Sequence, residues 1–213
     1  MVLSALLLAL HLVGQPREDP ARQVRMVWLA RELADYGLAE GDPEALAAAL
    51  RIMTRYPSQV LQEGGVEEPE QGADPSAERL PDLPFPNARG LLAAARGMRP
   101  EADLARRLDD LEVQVSRAPA SGVLSGSRSV RASHRWTYAT DFIGGEVAIV
   151  EVRGDGRSDL DLVVYDEAGG WVAADPGSDH RCSVTFLPRQ DGSFKVVVRN
   201  RGDQPSRFRF VLR

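Results

Sequence analysis

The spacing of apolar residues changes along the chain and divides the sequence into two parts. Before residue 118, apolar positions recur every three or four residues, which is the period of an amphipathic α-helix. From residue 134 onward, apolar and polar residues alternate, which is the period of a half-buried β-strand. The pattern therefore predicts an α+β chain, in which a helical region, residues 16–117, precedes an all-β region, residues 134–213.

Four helices are predicted in the helical region from apolar stripes and from the start and stop signals around them. The predicted segments are Ala21–Tyr36, Glu44–Tyr56, Ala88–Met98 and Glu101–Val115. Gly37 supplies a stop signal for the first helix, and Asp42 with Pro43 supplies an N-cap and first turn for the second. The first two helices are therefore predicted to form a hairpin.

Two segments before residue 134 carry neither pattern. Residues 57–86 are rich in Pro, Gly and Glu, and no Lys or Arg lies between Arg55 and Arg79. Such a segment buries too little apolar surface to offset its ordering entropy, so a disordered acidic linker is predicted, with partner binding as the alternative. Residues 118–133 are rich in Ala, Gly and Ser and are predicted to form a hinge.

About seven short strands are predicted in residues 134–213, at the spacing expected of a β-sandwich. The clearest alternation is in five apolar sets: Ala148, Val150 and Val152; Leu160, Leu162 and Val164; Cys182, Val184 and Phe186; Phe194, Val196 and Val198; and Phe208, Phe210 and Leu212. Because such segments can supply a closed two-sheet core, residues 134–213 are predicted to fold alone.

The residues of this all-β region resemble a known family. The distinctive strand is Asp159-Leu160-Asp161-Leu162, and the further positions are Val164, Asp166, Gly169, Pro188, Gly192, Phe194, Val198, Asn200 and Gly202. In these positions the region from His134 onward is similar to the bacterial pre-peptidase C-terminal domain. The resemblance implies a jelly-roll-like β-sandwich that serves exported proteins as an accessory or binding module. No recognisable catalytic domain precedes it in this sequence.

Charge argues against one class of partner, and the cysteine content excludes one means of stabilising the fold. The formal net charge is −5 and the pI is about 5.3. A surface that binds nucleic acid normally shows a basic excess or stripe, so no nucleic-acid partner is expected. Cys182 is the only cysteine, so an intramolecular disulfide cannot form and the fold must rest on its core.

The N-terminus is predicted to be an export signal, residues 1–15. Residues 2–13 are apolar except for Ser4 and His11. This run is long enough for the apolar part of a signal peptide and too short for a bilayer span. A periplasmic or extracellular location is therefore expected, with no membrane span after signal removal. A buried N-terminal helix is the alternative interpretation.

Candidate chemistry is sparse. No nucleophile elbow, His-Glu-x-x-His helix or P-loop motif occurs in the sequence. His180 and Cys182 could seed a metal site or a Cys-His pair, although a small buried Cys182 is the favoured interpretation. Residues 201–203 spell the adhesion tripeptide Arg-Gly-Asp, which is also ordinary turn chemistry. Trp171, near a predicted loop tip, is the aromatic residue that could stack on a sugar.

Calcium is the one cofactor for which the sequence offers ligands. On an extended strand Asp159 and Asp161 lie on one face, about 6 to 7 Å apart, opposite to the neighbouring leucines. Asp155 or a turn carbonyl could help to complete an oxygen site. In the preferred alternative, each carboxylate is solvated or bonds to a neighbouring N–H or arginine.

Together these patterns predict an exported, non-enzymatic accessory or binding protein. The sequence does not identify its ligand, and a cell-surface polymer and a partner protein are the two kinds of partner considered. One alternative is a secreted hydrolase that uses Asp159, Asp161 and His180. The other is a structural envelope protein, which the sequence does not separate from a binding protein.

Overall fold

The computed structural model describes residues 19–213, except residues 62, 84, 86 and 119–121. The predicted signal peptide, residues 1–15, lies outside the described residues. The helices of the described part are α1 (Pro20–Glu40), α2 (Pro43–Arg55), α3 (Ala88–Gly97) and α4 (Ala102–Arg117). None of these is both long enough and apolar enough to cross a membrane.

The strands form two five-stranded sheets. Their bounds are β1 (Gln59–Val60), β2 (Val66–Pro69), β3 (Leu124–Val130), β4 (His134–Phe142), β5 (Ala148–Gly154), β6 (Leu160–Asp166), β7 (Trp171–Asp175), β8 (Arg181–Phe186), β9 (Gly192–Asn200) and β10 (Ser206–Leu212). Sheet A has the order β1-β3-β10-β5-β8, and sheet B has the order β2-β4-β9-β6-β7. The predicted class, a helical region followed by a β-sandwich, is confirmed.

Helix α1 runs past Gly37, the residue predicted to end it. At its start, the Asp19 carboxylate accepts a hydrogen bond of 3.0 Å from the Ala21 N–H. Gly37 is buried, and an added Cβ would lie 2.6 Å from the Leu46 side chain. Gly37 therefore lets α1 and α2 approach closely. The helix stops at Gly41, whose φ of 66° is a left-handed conformation that suits glycine.

The four helices pack around one apolar cluster. Its buried members are Ala34, Leu46, Ala47, Ala49, Leu50, Leu91, Leu92, Ala95, Leu104, Leu108 and Leu111. The members from α4 are spaced three or four residues apart, as the apolar stripe predicts. Asp42 caps α2 by accepting from the N–H groups of Glu44 (2.9 Å) and Ala45 (3.1 Å), also as predicted.

The core of the sandwich lies between the facing sides of the two sheets. Alternate residues of the strands fill it, and the five apolar sets predicted from the alternation all contribute. Trp136 of β4 packs edge-on against Phe208, with ring centroids 5.4 Å apart, and lies 5.2 Å from the Phe210 ring. Such aromatic pairs add about 0.5–1.5 kcal/mol beyond the burial of their area.

Strand β3 lies within residues 118–133, where a hinge is predicted from the sequence. It pairs with β10 along its whole length. The strand lacks a visible apolar alternation because small residues occupy it: an added Cβ on Gly126 would lie 2.5 Å from the Phe210 ring. The hinge prediction was therefore wrong for residues 124–130.

Strands β1 and β2 lie within residues 57–86, where a disordered acidic linker is predicted. Residues 66–70, called the acidic strap below, pair with arginines of the sandwich. Glu68 lies 2.7 Å from Arg135, and Glu70 lies 3.1 Å from Arg199 and 3.2 Å from Arg201. The prediction of disorder was wrong for the strap, because its carboxylates find partners that are distant in sequence.

The helical region packs on the outer face of sheet A. Trp28 of α1 shares an apolar cluster with Ile149 and Val211. Asp35 of α1 forms an ion pair with Arg209 of β10. The main contacts between helices and sheets are those of α1 with β5 and β10. The outer face of sheet B is therefore on the side of the sandwich opposite to the helices.

Candidate ligand-binding site

The aspartates proposed as calcium ligands, Asp155, Asp159 and Asp161, do not form one ligand set. Asp155 accepts a hydrogen bond of 3.1 Å from the Ser206 hydroxyl, and Asp161 lies 2.6 Å from Arg201 Nε. Within the residues that the structure describes, no three His, Cys, Asp or Glu side chains cluster as a metal site. Asp155 and Asp161 thus follow the alternative of bonding to neighbouring donors. Calcium binding stays a prediction.

Cys182 is a buried residue of the sandwich core. Its Sγ donates a hydrogen bond of 2.9 Å to the Leu160 carbonyl oxygen. Burial, with a further contribution from the Asp175 carboxylate, raises the pKa of the Cys182 thiol to about 12. Because the thiolate is the nucleophile and the metal ligand, a thiol held neutral suits neither role. The favoured interpretation of Cys182 as a small buried residue is confirmed.

The contacts of Arg201 concern two hypotheses from the sequence: the adhesion tripeptide at residues 201–203 and a hydrolase that uses Asp161. The Arg201 guanidinium donates to Asp161 at 2.6 Å and to Glu70 at 3.2 Å, so the arginine of the tripeptide at residues 201–203 is held against the sandwich. The Asp161 carboxylate therefore already has a cationic partner, which a hydrolase using Asp161 would have to displace.

A cleft of about 920 Å³ opens beside Trp171 at one end of the sandwich. Two segments border it: residues 166–172, around the β6–β7 turn, and residues 186–194, around the β8–β9 loop. The Trp171 side chain is 68% exposed, the highest fraction among the exposed large apolar residues of the described chain. Leu187 across the cleft is 61% exposed. Clefts of this size with apolar and polar lining are common small-molecule sites.

The β6–β7 turn has a fixed shape that places Trp171. The Asp166 carboxylate accepts a hydrogen bond of 2.6 Å from the Gly170 N–H, and the Asp166 N–H donates to the Gly170 carbonyl at 2.9 Å. The register of β6 and β7 shifts between Val164 and Tyr165. A bulge changes the direction in which the neighbouring side chains point. The irregularity lies beside Trp171, the first residue of β7, whose indole is exposed.

The opposite wall of the cleft is also anchored. The Pro188 carbonyl accepts from the Gly145 N–H at 2.8 Å, and the Asp191 carboxylate accepts from the Gly144 N–H at 2.8 Å. Phe186 and Phe194 line the cleft, and the ring centroids of these two residues lie 5.7 Å apart. The cleft is therefore a preformed feature with two hydrogen-bonded walls.

Polar side chains at the cleft are available to a ligand. Glu167, Arg189 and Gln190 have no hydrogen-bond or ion-pair partner among the described residues. They provide a carboxylate, a guanidinium and an amide near the exposed indole. Such a set can donate to and accept from hydroxyl groups.

A second groove, of about 700 Å³, lies on the outer face of sheet B. Beside it a line of residues crosses four strands: Ala139 is opposite Lys195, Lys195 is opposite Tyr165, and Tyr165 is opposite Trp171. Residues directly opposite each other on neighbouring strands share one face of a sheet. This line is called the cross-strand row below.

Sequence reasoning singled out Trp171 but missed Tyr165 and Lys195. Both alternate with inward-facing residues of their strands, Val164 and Val196, so an outward position could have been inferred for each. Their alignment with Trp171 depends on the pairing register and on the bulge between β6 and β7, where Val172 of β7 has no opposite residue. Neither the register nor the bulge can be predicted from the pattern of apolar residues.

No protein-family model matches the chain, and no curated protein matches it. Among solved structures, the pre-peptidase C-terminal domain of a collagenase from Bacillus anthracis is similar over 43% of this chain and 87% of that chain, with 10% identity and a TM-score of 0.34. Membership of that family stays a prediction at this level of similarity.

Two further solved structures are similar over comparable lengths. PliG from Aeromonas hydrophila, a periplasmic inhibitor of g-type lysozyme, matches over 43% of this chain and 82% of that chain, with 11% identity and a TM-score of 0.29. The C-terminal CBM6 of the laminarinase LamC from Zobellia galactanivorans matches over 39% of this chain and 78% of that chain, with 11% identity and a TM-score of 0.26.

Proposed function

We propose that the protein is an exported, non-enzymatic binding protein, and that its sandwich binds a polysaccharide in the Trp171 cleft. The exposed Trp171 indole on the edge of a preformed cleft is the observation that carries this proposal. An indole left in water forgoes the free energy of burying its apolar area. A ligand that covers the ring recovers that free energy.

A sugar suits the cleft for two physical reasons. The apolar face of a pyranose ring can stack on the flat indole, and the hydroxyl groups at its edge need hydrogen-bonding partners. Glu167, Arg189 and Gln190 offer such partners beside Trp171. Because both walls are anchored by hydrogen bonds, little conformational entropy is lost on binding.

The non-enzymatic part of the proposal rests on the chemistry of the described residues. The Cys182 thiol is buried, and Asp161 is bound by Arg201. The export part rests on the apolar run of residues 2–13 in the sequence. Both arguments are consistent with an accessory protein that binds a polymer outside the cytoplasm without cleaving it.

The test is retention on immobilised neutral and acidic polysaccharides, measured by affinity electrophoresis. Trp171→Ala should weaken retention at least about tenfold, since loss of a stacked aromatic anchor commonly costs more than about 1.4 kcal/mol. Trp171→Phe should keep part of the affinity. Val113→Ala, which trims an exposed apolar residue of α4, is the matched control and should bind like the wild type.

Two results would overturn the proposal. One is that no polysaccharide in the set retains the wild-type protein, or that Trp171→Ala is retained equally well. The other is the release of new reducing ends from a retained polymer, which would show that the protein is an enzyme.

A further inference from the structure

The cross-strand row continues the Trp171 cleft onto the outer face of sheet B. The groove on that face and the cleft both border the β6–β7 turn, because Gly169 lines the groove and Ala168 lines the cleft. Neighbouring strands are about 4.7–4.9 Å apart, so the backbone positions of Trp171 and Lys195 lie about 10 Å apart across Tyr165. A short oligosaccharide can span that distance.

The cations of the groove differ in their partners. Arg135 lies 2.7 Å from Glu68, and Arg199 lies 3.1 Å from Glu70, which Arg201 shares, so each of these guanidinium groups already has a carboxylate partner. Lys195 is exposed and has no ion-pair partner among the described residues. It is also the only lysine of the chain. Among the described cations that line the groove, Lys195, next to Tyr165, is therefore the one without a carboxylate partner.

Small and apolar residues leave space around this charge. Ala139 is opposite Lys195 on one side, and Val197 and Thr137, also opposite each other, are among the residues that line the groove. A flat ligand can lie on this surface without displacing a large side chain. An ammonium group beside such a surface favours a ligand that carries a carboxylate.

We propose that the ligand is an acidic polysaccharide, which stacks on Trp171, passes over Tyr165 and places a uronate carboxylate on Lys195. This inference rests on the proposed function, because it names the class of polysaccharide that the same surface selects. Trp171 provides stacking for any pyranose, and Lys195 provides the preference for the charged one.

The experiment compares two polymers with the same sugar backbone: polygalacturonate, whose carboxylates are charged, and its methyl ester, in which they are neutral. Wild-type protein should bind polygalacturonate about ten- to hundredfold more tightly, the range expected for one charge-assisted hydrogen bond of about 1.5–3 kcal/mol. Lys195→Gln should lose this preference and still bind the ester. Lys195→Arg should retain it. Trp171→Ala should weaken binding of both polymers.

Two controls accompany this experiment. The first tests whether the position of the positive charge matters, and the second tests whether the ligand needs a sugar ring in addition to a carboxylate. Arg51→Gln removes an exposed positive charge from α2 and should bind both polymers like the wild type. Polyglutamate carries carboxylates without sugar rings and should bind weakly, because nothing stacks on Trp171. Equally tight binding of polyglutamate would replace the polysaccharide with an acidic peptide and overturn the inference.

The remaining outcomes distinguish the two proposals. Equal affinity for both polymers, unchanged by Lys195→Gln but lost in Trp171→Ala, would overturn the acidic preference and leave the proposed function standing. Binding that depends on neither residue would overturn both proposals.

Discussion

Phe210 occupies the middle of the sandwich core, where its ring packs against Trp136 and over Gly126 of β3. We expect Phe210→Ala to lower the free energy of unfolding by about 3–5 kcal/mol, because it removes buried contacts and leaves a cavity. Urea denaturation would measure this loss. Ile143→Ala, at a position 59% exposed, is the control and should change stability by less than about 0.5 kcal/mol. A loss below about 1 kcal/mol for Phe210→Ala would contradict the assigned core.

Cys182 makes stability depend on pH. Burial raises the pKa of its thiol from 9.0 to about 12. The unfolded chain therefore releases the thiol proton at a lower pH than the folded protein does. The corresponding stability is fully present below pH 9 and is lost as the pH rises towards 12.

We expect the free energy of unfolding of the wild type to fall more steeply than that of Cys182→Ala as the pH rises above 9. Comparing the two proteins cancels the pH dependence that both share and leaves the contribution of the thiol. Urea denaturation at a series of pH values measures both slopes. Parallel pH profiles for the two proteins would show that the thiol does not couple ionisation to folding.

Strand β3 decides which part of the chain can form a sandwich. Residues 134–213 are predicted from the sequence to fold alone, but this segment lacks β3, which is one of the two neighbours of β10. We expect a fragment of residues 134–213 to show no cooperative melting by circular dichroism. A fragment of residues 122–213, which restores β3, should melt cooperatively. Cooperative melting of the shorter fragment would show that β3 is dispensable.

The elements with a strong apolar period were predictable, and those held by other contacts were not. Helix α4 follows from the spacing of Leu104, Leu108 and Leu111, which needs only a local rule. Strand β3 consists largely of small residues, so its role depends on the Phe210 ring above Gly126. The acidic strap depends on arginines far along the chain. Contacts between residues that are distant in the chain produce no periodic pattern in the sequence, so these elements could not be predicted from it.

One part of the candidate site could be predicted from the sequence, and the other part depends on contacts between distant residues. Trp171 could be predicted, because a tryptophan beside a Gly-Gly turn signal is rarely deep in a core. The cross-strand row could not, because it requires the pairing of β7 with β6, of β6 with β9 and of β9 with β4. A one-residue change of register would move Lys195 to the opposite face.

The two faces of the sandwich have different environments. The outer face of sheet A is covered by α1 through an apolar cluster and the Asp35–Arg209 ion pair. The outer face of sheet B carries the groove and the cross-strand row. The helical region therefore buries one side of the sandwich, and no helix of the described residues covers the opposite side.

The central place of β10 in sheet A has a consequence for synthesis. Strand β3 must wait for β10, which follows about 75 residues later, and at about 5–20 residues per second that takes roughly 4 to 15 seconds. During this interval the growing chain carries an open sheet edge and an incomplete core. Because β10 pairs with both β3 and β5, we expect a chain truncated before Ser206 to leave these two strands without their shared partner and to be cleaved faster by added protease than the chain that contains β10.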